Sequence, residues 1–169
     1  MTNTSLYVIK PEKYVEGLIE ILKDIVKNKN LIYITTNRPY KHLVKLLQDN
    51  KIPVSNIFFI DCISKYVGIE ENSSNCIVVE SPQNLTAIGI AINESATNLS
   101  GKKTLFLDSL SALLLYNSAE TIGKFSNFLI NKMRKYEIDL FMIVLESDIE
   151  KDVIQKVESF ADEVKKIGN

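Results

Sequence analysis

The sequence predicts a three-layer α/β sandwich built on a mainly parallel sheet, and three observations predict it. Short continuous apolar runs, such as "LIYITT" at 31–36 and "IDLFMIVLE" at 138–146, read as strands buried on both faces. Stretches with helical spacing lie between these runs, and that alternation puts helices on both sides of a parallel sheet. No linker, repeat or low-complexity stretch divides the 169 residues, so one domain spanning 1–169 is expected.

The elements follow in order. "LYVI" (6–9) is the first strand, and 11–28 is a helix with Val15, Leu18, Ile19, Leu22, Ile25 and Val26 on one face. Pro11 suits its first turn, while Glu12 and Glu16 complement its positive N-terminal end. A strand at 31–36, a helix at 39–51 and a strand at 56–61 come next. "CIVVES" (76–81) is the fourth strand, followed by a helix at 82–98 opened by Pro82. Strands at 103–109 and 138–146 flank a long amphipathic helix at 118–136. A helix at 148–160 follows, and "DEVKKI" is placed as a final edge strand.

Composition narrows the function classes. An apolar fraction of 46% with 24% charged residues is that of a soluble globular protein. Twenty Lys and Arg against 21 Asp and Glu supply no broad positive field, which argues against nucleic acid as a partner. The start has no basic segment followed by a long apolar one, and no apolar run is long enough to span a bilayer. A cytoplasmic protein without a membrane partner is therefore expected. Cys62 and Cys76 lack metal-ligand or CxxC spacing and are expected to be reduced. His42 is the only histidine, so no His-based metal cluster is possible.

In parallel sheets of this kind, ligands bind outside the carboxyl ends of the strands. The candidates are Lys10, Thr36, Asn37, Arg38, Asp61, Glu80, Ser81, Asp108, Ser109 and Glu146. Asp61, Glu80, Asp108 and Glu146 could gather there as an acidic cluster for a divalent cation. Ser81, Ser109 and Ser111 lie in no Gly-x-Ser-x-Gly setting, which argues against hydrolase chemistry. "TTNRPYKHL" carries Arg38, Tyr40 and Lys41 on one loop, a basic and aromatic combination suited to a phosphate-bearing or peptide partner. "ALLLYN" brings Leu113, Leu114, Leu115 and Tyr116 together. Such a segment either covers the sheet edge or, if exposed, contacts another protein.

"KTLFLDSLSALLLYN" (103–117) resembles the Walker B segment of RecA-like ATPases of the KaiC and RadA type, a mostly archaeal group. There an apolar strand ends in Asp-Ser followed by Leu. "LIYITTNRPYKHLVKLLQDNKIPVSNIFFIDCIS" is similar to their strand–helix–strand section, and "FADEVKKI" resembles the Ala-Asp-x-Val that opens a late strand. The resemblance implies a RecA-like sheet across nearly the whole chain, with Asp108 at the position of the magnesium-holding carboxylate.

One stretch departs from that pattern. The family's first loop is Gly-x-x-x-x-Gly-Lys-Ser/Thr, whose backbone N–H groups and lysine cradle the phosphates. Here the place holds "KPEKYVEGLIE", with no Gly-Lys-Ser/Thr, a proline that removes a donor, and two glutamates. Charge-assisted hydrogen bonds contribute roughly 1.5–3 kcal/mol each, so losing several would weaken phosphate binding by orders of magnitude. The expectation is a nucleotide-free descendant acting as a regulatory or protein-interaction module, needing no cofactor. Its partner would be itself, an active paralogue or a signalling protein. Asp108 would then only fix the strand end, through nearby backbone or Ser109. An alternative keeps Mg-ATP, with Lys10, Lys13 and Arg38 replacing the cradle's charges and Asp108 and Ser109 at the metal. A RadA-like accessory role near DNA is the third reading, against which the neutral charge argues.

Overall fold

The computed structural model describes residues 2–27 and 29–168. Strand β1 (Thr4–Ile9) leads through a 3-10 turn at Pro11–Lys13 into α1 (Tyr14–Ile25). The expected single helix at 11–28 therefore starts as a tighter turn, because Pro11 opens it and Lys13 leaves the helical region (φ −115°, ψ 21°). Asn28, its expected last residue, lies outside the described residues. Then come β2 (Asn30–Thr35), α2 (Tyr40–Asp49) and β3 (Ile57–Asp61).

β4 (Cys76–Val78) is shorter than expected, and α3 (Leu85–Asn98) starts later than Pro82. The Asn84 side chain accepts from Ala87 N–H and sets that start, an N-cap two residues beyond the proline. β5 (Lys103–Asp108) runs into α4 (Leu110–Leu113), a short helix not expected from the sequence. α5 (Ala119–Lys135), capped by Ser118, precedes β6 (Asp139–Leu145). α6 (Asp152–Phe160) and β7 (Glu163–Ile167) complete the order, β7 lying at the sheet edge as expected.

All strand pairs are parallel in a seven-stranded sheet ordered β4-β3-β2-β5-β6-β1-β7. Alternation along each strand splits the core in two. Ile32, Ile34, Leu105, Leu107, Leu140 and Met142 face α3, α5 and α6. Leu31, Tyr33, Phe59, Phe106 and Ile143 pack on the other side with the apolar stripes of α1 and α2. The result is the three-layer α/β sandwich expected, with both sheet faces dry. Among the described residues no helix is long and apolar enough to cross a membrane.

Candidate functional site

Four neighbouring strands, β2, β5, β6 and β1, end at one cavity of about 460 Å³. Each strand contributes the residues just beyond its carboxyl end. Pro11, Tyr14 and Val15 follow β1, and Asn37 and Arg38 follow β2. Asp108, Ser109, Ser111, Ala112 and Leu115 come from the end of β5 and the segment after it, and Leu145, Ser147 and Asp148 from the end of β6. From β2 the chain continues to β3 and from neighbouring β5 to β6, in opposite directions along the sheet, so the connections diverge here, the usual crevice of open α/β sheets. A larger hollow of about 610 Å³ opens among Ile92, Lys103, Tyr136 and Asp139, at the amino ends of β5 and β6.

Asp108 is buried, and its Oδ2 accepts a hydrogen bond from the Tyr33 hydroxyl at 2.5 Å. Burial pushes its carboxyl up to about 7, and the same burial raises the Tyr33 phenol. Ser109 is not its partner, because Ser109 Oγ caps α4 by accepting from Ala112 N–H. The peptide joining Asp108 to Ser109 is cis. Thr36 clamps this turn: its N–H and hydroxyl both donate to the Asp108 carbonyl, and its Oγ1 accepts from Ser109 N–H. Ser111 Oγ accepts from Leu145 N–H and so ties the turn to β6.

The turn after β1 is built differently from its neighbours. Lys10 is extended, and Lys13 Nζ donates to the Gly168 carbonyl at 3.3 Å. Neither lysine lines the cavity, where Tyr14 and Val15 stand instead. The structure thus brings Arg38, Asp108 and Ser109 together and leaves Lys10 and Lys13 outside the set.

The acidic cluster does not assemble. Among the described residues no group of three or more His, Cys, Asp or Glu is placed to hold a metal. Asp61 is buried and organises the loop after β3, accepting from the N–H groups of Tyr40, Ile63 and Ser64 and from the Ser64 hydroxyl. Glu80 is exposed and pairs with Lys65. His42 is exposed, and both cysteines are free thiols whose ionisation burial opposes.

The expected contact residues divide. Tyr40 packs edge-on against Phe59 and donates to Asn75, while Lys41 reaches the Glu70 carbonyl. Leu113 is fully buried in the core and offers no surface; Leu114 packs half-buried against it. Leu115 is 77% exposed, and Tyr116 stacks edge-on against Tyr66 with centroids 5.5 Å apart. Tyr66 and Val67, which the sequence did not single out, are both more than half exposed or nearly so (50% and 54%). The Tyr66–Tyr116 ring contact spans 50 positions of chain, a pairing no local pattern announces.

A family model described as a family of unknown function (DUF7504) matches residues 22–165. The chain belongs to that family. No curated protein matches the sequence. Among solved structures, this DUF7504 chain is similar to a KaiC-like protein from the hyperthermophilic archaeon Pyrococcus horikoshii, with a TM-score of 0.63 and 13% identity. The match covers 96% of this chain and 69% of that one. At that identity the likeness speaks for the fold, and it makes the DUF7504 sheet a RecA/KaiC-like one.

Proposed function

We propose that the chain is a non-catalytic RecA/KaiC-like module that works through contact with another protein, in a regulatory role. The observation that carries this reading is the turn after β1. Pro11 and Glu12 open it, Lys13 is engaged with Gly168, and Tyr14 and Val15 occupy the cavity wall next to Asp108. A triphosphate needs several aligned N–H donors and a lysine at this point. Asp108 adds a second support, since its carboxyl is buried and its Oδ2 is already engaged by the Tyr33 hydroxyl. We therefore read the residues at this edge as not fitting Mg-ATP.

Leu115, Tyr116, Tyr66 and Val67 supply the apolar surface that an interaction module requires. Isothermal titration with Mg-ATP and Mg-ADP, on the parent protein and on Asp108→Ala, tests the reading. No binding is expected up to about 1 mM, a weak limit for specific recognition. Micromolar binding that Asp108→Ala abolishes would overturn it.

A further inference from the structure

Arg38 is half-buried, and among the described residues its guanidinium forms no ion pair or side-chain hydrogen bond. It lines the cavity at the carboxyl edge, and its Nη1 is buried without a hydrogen-bond partner among the described residues. A buried donor of a charged group left without an acceptor is costly, so such groups ordinarily face a water, a ligand or an ion. The backbone around Arg38 is held in place. Thr35 Oγ1 donates to the Arg38 carbonyl at 2.6 Å, and Pro39 confines Arg38 to extended conformations.

Two carboxyl groups share the cavity, and each is otherwise engaged. Asp108 accepts from the Tyr33 hydroxyl and is half-protonated near neutrality, while Asp148 pairs with Lys151 at 2.8 Å. Arg38 is thus the one cation of the cavity wall, without an ion-pair partner among the described residues. Tyr14, Val15, Ala112, Leu115 and Leu145 give the wall an apolar side, and Asn37, Ser109, Ser111 and Ser147 add neutral polar groups. A volume of about 460 Å³ is in the range that holds small organic ligands.

We propose that this cavity binds a small organic acid with a single negative charge and an apolar body, its carboxylate held by Arg38. The planar fork of a guanidinium matches a carboxylate with two parallel hydrogen bonds. A polyphosphate is a worse match, because it would bring several negative charges to one cation and two carboxyl groups. This inference goes beyond the interaction role, and the Mg-ATP titration reads separately whether the same edge takes a nucleotide.

The test follows amide chemical shifts of the full chain during titration with 3-phenylpropionate, its neutral analogue 3-phenylpropanamide, and inorganic phosphate. The carboxylate is expected to shift Arg38, Ser109, Ser111 and Ser147, and the amide to bind at least about tenfold more weakly. Arg38→Gln should weaken the carboxylate by a similar factor. Leu115→Glu, at an exposed rim position, should weaken it without touching the core, so the inference stays testable if Arg38→Gln fails to fold. Three results would each overturn the proposal: no shifts up to about 10 mM, equal binding of the amide, or preferential binding of phosphate.

Discussion

Asp108 sits at the end of β5 with its carboxyl buried, raised to about 7, and bonded to a phenol that itself resists ionising. The folded state therefore holds a proton that the unfolded chain releases near its ordinary value of 3.8. The folded pKa is the higher one, so this group's contribution is most favourable at low pH and is lost as pH rises from roughly 4 to 7. Asp108→Asn keeps an acceptor for Tyr33 and removes the charge. The variant should be more stable than its parent at about pH 8, by roughly 2 kcal/mol, half of what about 1.4 kcal/mol per pKa unit gives over the gap from 3.8 to about 7. At about pH 4.5 the advantage should shrink. Urea denaturation at both values checks this, and an equal difference at the two would mean that Asp108 titrates as an ordinary surface carboxyl. The aspartate was legible in the sequence as a carboxylate ending a buried strand. Its partner was not. Tyr33 reaches Asp108 because β2 and β5 pair with Tyr33 beside Phe106 and Thr35 beside Asp108, a register fixed only in the assembled sheet.

Two glycines in helices should respond to alanine with opposite signs. Gly17 lies where α1 crosses β1, and a Cβ there would stand 2.9 Å from Ile9 Cγ2, with no room to retreat inside a packed core. Gly17→Ala should cost about 1–3 kcal/mol as overpacking. Gly89 in α3 has nothing within 4 Å of the same position, so Gly89→Ala should gain about 0.5–1 kcal/mol from helix propensity. Thermal melts of the two variants check both signs, and a neutral Gly17→Ala would show that α1 can slide on the sheet. At this scale most of the fold was readable. Every expected strand and long helix formed, because apolar periodicity and the strand–helix alternation are local signals. Three errors fall where a single residue outweighs periodicity: Pro11 tightening the first turn, Asn84 capping α3 beyond Pro82, and Ser109 capping the unexpected α4; β4 also ends early at Val78, and α6 starts at Asp152 where 148 was expected.

The cavity exists only for the whole molecule. Its walls come from loops after β1, β2, β5 and β6, so strand order, which the sequence does not display, decides who meets whom. That order drew Arg38 in, whereas the local turn after β1, with Lys13 tied to Gly168, left Lys10 and Lys13 out. The exposed apolar group of Leu115, Tyr66 and Val67 is equally a product of assembly, and it carries a prediction about the molecule's association. Sedimentation over rising concentration should give masses above the 19.1 kDa of one chain for the parent and that value for Leu115→Asp. Because the site is exposed, stability should stay within about 0.5 kcal/mol. A parent that stays at one chain's mass throughout would rule out self-association and leave a different protein as the partner.

The sheet order also has a consequence in time. β1 lies between β6 and β7, with Thr4 beside Leu140 and Ser5 beside Glu163, so its neighbours come from the far end of the chain. During synthesis the β2, β3 and β5 segments can pair among themselves while β1, made first, has no neighbour to join. Contacts of such long sequence separation close slowly. For much of translation the first strand is thus an apolar segment awaiting its place, the kind of segment that chaperones hold and that aggregates when they do not.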